Sequence, residues 1–81
     1  MTYTPAKGDR IIVRRTPSIH GGTGVMTGTV LEVLTIGGIE GILDFRSDHY
    51  GRAYLATNEQ MAEMGIAQTI QLEPRTEGDQ P

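Results

Sequence analysis

The run Gly8-Asp9-Arg10-Ile11-Ile12-Val13 constrains the fold of this chain more than any other stretch. A turn signal feeds directly into β-branched residues, which pack well on a pleated surface and crowd a helix. The same grammar returns in Gly28-Thr29-Val30-Leu31-Glu32-Val33-Leu34. Short β-branched runs opened by glycine predict an all-β chain that curls into a small barrel. Barrels of this kind serve mostly as binding modules, so the sequence speaks first about fold.

Alternation carries the reading along the chain. Arg10 to Arg15 is the first predicted strand, with Ile11 and Val13 inward and Arg10, Ile12 and Arg14 outward. Thr16 to Thr27 is predicted as a long loop, because Pro17, Gly21, Gly22 and Gly24 interrupt any regular element. Gly28 to Ile36 is the second strand, and a bulge near Leu31-Glu32 would place Val30 and Val33 on one face. Gly37-Gly38 is a two-residue hairpin turn, since both glycines accept positive φ. Ile39 to Phe45 returns as the third strand, with Ile39, Gly41, Leu43 and Phe45 sharing a face. Arg46 to Gly51 is a predicted polar turn, and Arg52 to Ala56 a fourth strand with Arg52 and Tyr54 on one face. Thr57-Asn58-Glu59-Gln60 has the form of a capping box. It opens a helix over Asn58 to Met64, which Gly65 is placed to end. Gln68 to Leu72 closes the fold, with Ile70 and Leu72 inward.

This order, with its Gly-Asp-Arg-Ile-Ile-Val opening, its Thr27-Gly28-Thr29-Val30 strand and its helical turn before the last strand, resembles the SH3-like small barrels. It is similar in texture to KOW-type segments and to uncharacterised bacterial small barrels that begin Gly-Asp-Arg. The resemblance covers roughly residues 7 to 72 and implies a partly open barrel of five or six strands with one short helix before the last strand. The expected organisation is a barrel domain over residues 1–73 and a disordered tail over 74–81. The resemblance implies no particular ligand. Tyr3, Phe45, Tyr50 and Tyr54 are the aromatic residues and Trp is absent, so the aromatic groove that grips proline-rich peptides is missing.

Composition narrows the partner classes. With 81 residues the chain has a small core, and with no cysteine it has neither a disulfide nor a thiolate site. Self-association or a bound partner would supplement that core. No apolar leader and no run of about 20 apolar residues is present, so a cytoplasmic, non-membrane protein is expected. A net charge of −3 disfavours general nucleic-acid binding, which relies on clustered cations. The charge is uneven, however: Lys7, Arg10, Arg14 and Arg15 gather in the first strand region, while the last quarter is acidic.

Each constellation that might carry chemistry has a plainer reading beside it. His20-Gly21-Gly22-Thr23-Gly24 has the glycine content of an anion nest, but no Gly-Lys-Ser/Thr follows and a strand follows in place of a helix. A connecting loop explains it more simply. Asp48-His49-Tyr50 carries acid and base groups that point in different directions, as in a solvated turn. His20 and His49 lack metal-ligand spacing, and Ser18 with His20 has no orienting third group. Arg10, Arg14, Arg15, Arg46 and Arg52 would either face an anionic partner or pair with Glu32, Glu40 and Asp44 across the sheet. Met61 and Met64 share a helix face and are expected in the core.

The expected function is therefore a non-catalytic protein-interaction module, as a homo-oligomer or as an accessory or inhibitory small protein of the kind also found in phages and plasmids. Its partner-binding residues would be Arg14, Arg15, His20, Gly22, Arg52 and Tyr54, with no cofactor and no metal. The alternatives are a nucleic-acid-binding barrel using an Arg/Tyr face, and a nucleotide or anion binder using the Gly-rich loop.

Overall fold

The computed structural model describes residues 3–17 and 24–74. Five strands and one helix follow in the order β1 (Arg10–Thr16), β2 (Val25–Ile36), β3 (Ile39–Ser47), β4 (Gly51–Leu55), α1 (Asn58–Glu63) and β5 (Ala67–Leu72). The strands form one antiparallel sheet in the order β4-β3-β2-β1-β5. The chain is all-β, with its single described helix ahead of the last strand. The sheet is open: β4 and β5 stand at its two ends and no ladder joins them.

The second strand shapes the whole. Its first part pairs with β1, from Arg14↔Val25 to Arg10↔Thr29, and its later part pairs with β3, from Gly28↔Ser47 to Ile36↔Ile39. A register shift falls between Val30 and Glu32, at the predicted bulge. The extra residue, Leu31, bends the strand and raises its twist. Val30 then pairs with Phe45 and Val33 with Leu43, so the two valines share the Phe45 face. Val30 is fully buried there, whereas Val33 lies farther out and is exposed.

One face of the sheet holds the core: Ile11, Val13, Val30, Leu43, Phe45 and Leu55, with Tyr3, Met26 and Ile70 packed against it. Each such side chain contributes roughly 1.5–3 kcal/mol by leaving water, which makes this the main source of stability. Gly28 allows the closest approach within it. A Cβ at that position would lie 2.7 Å from Cζ of Phe45 and would overlap the Arg46 carbonyl oxygen. The strand β3 therefore rests directly on the bare backbone of Gly28.

Several boundaries depart from the sequence reading. The loop expected from Thr16 to Thr27 is shorter, because Val25, Met26 and Thr27 already pair with Arg14, Val13 and Ile12. The propensity of Val and Thr for strand overrides the neighbouring Gly24, and Gly28 lies inside β2 instead of opening it. The turn expected from Arg46 is also shorter: β3 runs through Ser47, because Arg46 pairs with both Thr29 and Arg52. The helix ends at Glu63 with Met64 as C-cap and Gly65 at φ 80°, and its capping box forms as expected. Met61 is in the core but Met64 is 63 % exposed, because the six-residue helix presents one turn to the sheet. Leu72, expected inward, is 53 % exposed at the open end of β5. Residues 75–81 of the expected tail lie outside the described residues.

Candidate functional site

The outward face of the sheet carries the charge. Strand alternation places Arg10, Ile12 and Arg14 there, opposite the buried Ile11 and Val13. The registers then build a row across four strands: Arg10 opposes Thr29, Thr29 opposes Arg46, and Arg46 opposes Arg52. Three arginines on β1, β3 and β4 thus share one line, although they are far apart in sequence.

Two of the three are neutralised in place. Arg10 forks onto Asp48, with Nη1 and Nη2 donating to its two carboxylate oxygens at 2.8 and 2.7 Å. Its Nε donates to Glu73 Oε1 at 3.2 Å, and its Nη1 reaches Thr29 Oγ1 at 3.3 Å. Asp48 also accepts from the Thr27 hydroxyl at 2.7 Å. The Arg10 guanidinium, and then the Thr27 hydroxyl, hold the Asp48 carboxyl well below the usual aspartate range. Arg52 is bidentate to Asp44, from Nε at 3.0 Å and Nη2 at 2.7 Å. This pairing lowers the pKa of Asp44, whose side chain is buried beneath the guanidinium. Arg46, between them, is exposed and has no carboxylate partner among the described residues.

Tyr54 lies on the same outward face, opposite Asp44, and is 65 % exposed. Tyr50 is 75 % exposed in the turn after β3 and meets His49 edge-on at 6.5 Å. That turn is held by Ser47, whose hydroxyl accepts from the backbone N–H of His49 and Tyr50 at 3.2 and 3.1 Å. Arg46, Arg52 and Tyr54 thus form an outward patch on and beside the edge strand β4.

The residues singled out from the sequence divide. Arg52 and Tyr54 are together in this patch. Arg14 is outward too, but it lies four residues beyond Arg10 on β1 and hydrogen-bonds Gln71 at 2.7 Å. Arg15 falls on the other face: it opposes Gln68 across β1 and β5 and donates from Nε to Gln68 Oε1 at 2.7 Å. Partial burial lowers the Arg15 pKa. His20 and Gly22 lie outside the described residues. Of the arginines expected to face an anionic partner or to pair across the sheet, Arg10, Arg46 and Arg52 share the row and Arg52 pairs with Asp44, whereas the joining of Arg10 to Asp48 and Glu73 has no signal in the sequence.

Gln68 does work that alternation alone hinted at, since it is a polar residue at an inward position. It is 6 % exposed, and besides accepting from Arg15 its amide nitrogen donates at 2.9 Å to both Ala56 O and Asn58 Oδ1. These side-chain bonds tie β1 and β5 to the segment after β4, where no backbone ladder exists. On the opposite flank Tyr3 packs on the core and donates its hydroxyl to the Asp9 carboxylate. Burial, and then that carboxylate, push the Tyr3 hydroxyl up to about 12.

Among the described residues no three metal-ligating side chains converge, and no helix is long and apolar enough to cross a membrane. Comparison with family models, with curated proteins and with solved structures finds no match to this chain.

Proposed function

We propose that this protein is a protein-interaction module of SH3-like architecture that receives an extended partner strand on an open sheet edge. The observation that carries the reading is the open sheet, with β4 and β5 each paired on one side. An unpaired edge presents a row of backbone N–H and C=O groups, which is a template for another strand. Natural edges are commonly blunted by proline, lysine or a bulge. Gly51–Leu55 and Ala67–Leu72 contain no proline and no lysine, and neither β1·β5 nor β3·β4 shows a register shift. The SH3-like assignment is supported by the strand order, in which four consecutive strands pair in sequence and the last returns beside the first. In that frame Arg52 and Tyr54 flank the β4 edge and would add charge and aromatic contact to the backbone pairing.

Selection of extended peptides from a random library, followed by amide hydrogen exchange on the complex, tests the reading. Protection of residues 51–55 or 67–72 is expected, with the solution mass by light scattering distinguishing self-pairing from capture of another chain. A protein that stays monomeric, selects no such peptide and instead binds single-stranded RNA or DNA with a steep salt dependence overturns it.

A further inference from the structure

We infer that the partner strand is acidic: the β4 edge takes an extended peptide that brings a glutamate to Arg46. This rests on the strand-addition reading above and specifies its partner. The argument begins with the direct cross-strand pairing of Arg46 with Arg52. Like charges directly opposite are destabilising, and both oxygens of the nearby Asp44 carboxylate are taken up by Arg52. Asp44 serves Arg52, and Asp48 with Glu73 serves Arg10. Arg14 and Arg15 are each held by a glutamine. Arg46 is left exposed, with no carboxylate among the described residues to meet it.

Geometry places the missing anion on an added strand. A strand paired to β4 would lie two strand spacings from β3, about 10 Å. A glutamate opposite Arg52 can reach inward over that gap toward an extending Arg46. Arg52 would share the load: Asp44 occupies its Nε and one Nη2 N–H, and its remaining donors are free to meet the same carboxylate. Tyr54 and Tyr50 stand exposed on either side to cover the stems of the arriving residues.

The chemistry also chooses among occupants. A second copy cannot supply the acid from an edge, because neither Gly51–Leu55 nor Ala67–Leu72 contains Asp or Glu. The acidic strand residues Glu32, Glu40 and Asp44 sit on β2 and β3, which are internal. A nucleic-acid backbone fits poorly, because its regular phosphates would run along a row where Asp44, Asp48 and Glu73 already stand. One or two carboxylates delivered to one point avoid that repulsion.

Three probes test the inference by fluorescence anisotropy: a peptide of alternating Thr and Glu, its Thr/Gln counterpart, and the Thr/Glu peptide N-methylated at alternate backbone nitrogens. The Thr/Glu peptide is expected to bind at least about tenfold more tightly than the Thr/Gln one, with the margin shrinking as salt rises. In Arg46→Gln, whose thermal unfolding checks that the fold is kept, that margin should fall sharply, leaving only the share carried by Arg52. N-methylation in the register that faces the edge should abolish binding. Equal binding of the Thr/Glu and Thr/Gln peptides to the parent protein, both still sensitive to N-methylation, overturns the acidic preference and leaves strand addition standing. Binding that ignores N-methylation, or no binding by any peptide, overturns both. An oligonucleotide whose binding is lost in Arg46→Gln assigns the patch to phosphate and overturns the inference.

Discussion

Gly28 shows how much a missing atom can decide. Its backbone lies against Phe45 and the Arg46 carbonyl, and its neighbour Thr29 is the link between Arg10 and Arg46 in the outward row. Gly28→Ala would force the Phe45 ring and the β3 backbone apart, a case of overpacking against atoms that are not the free end of a flexible chain. Its cost is expected at about 1–3 kcal/mol or more, read as a lower urea midpoint with an unchanged slope. An unchanged midpoint would mean that β3 can move away freely. The sequence marks Gly28 as the edge of a strand, because glycine is ordinarily punctuation. Its buried interior position follows from a contact with a residue far along the chain, which no local pattern encodes.

At the level of elements, the reading from sequence succeeds where a local period or turn grammar decides the outcome. The Gly37-Gly38 hairpin, the bulge after Val30 and the Thr57–Gln60 capping box are all such cases. In the capping box the Thr57 hydroxyl accepts from Gln60 N and the Gln60 amide oxygen accepts from Thr57 N, each at 3.0 Å. With so short a helix the cap carries a large share of its stability, so Thr57→Ala is expected to lower protein stability by about 1 kcal/mol. Chemical denaturation measures this, and a Thr57→Ser variant should retain most of it. The candidate site was less legible. Strand alternation puts Arg52 and Tyr54 together, but the partner-binding set expected from the sequence takes in both Arg14 and Arg15, which one-residue spacing on a strand sends to opposite faces. The ion pairs depend on register between strands, and Arg10 with Asp48 and Glu73 spans gaps that sequence spacing does not address.

For the molecule as a whole, charge placement links stability to pH. Asp48 and Asp44 both titrate below the ordinary aspartate value of about 3.9 because arginines hold their charged forms. A depressed folded-state pKa gives stabilisation that is complete above the unfolded value and lost as pH falls through the folded one. Urea midpoints should therefore hold from neutrality down to about pH 4 and then decline toward pH 2, beyond the general effect of rising positive charge. Asp48→Asn should be less stable than the parent at pH 7 and should show a shallower decline across that acid range. Parallel curves for the two proteins would show that the Arg10–Asp48 pair adds nothing to the fold.

The adjacency of the first and last strands carries a mechanical consequence. β1 and β5 run antiparallel, with Ile11 opposite Leu72 and the Glu73 N–H donating to the Arg10 carbonyl at 2.9 Å. A force applied at Arg10 and Glu73 would therefore load the ladder crosswise at one end, and its bonds would part in succession, like a zip, without sharing the strain. The Arg10–Glu73 ion pair sits at the slider of that zip, beside the backbone bond that is loaded first.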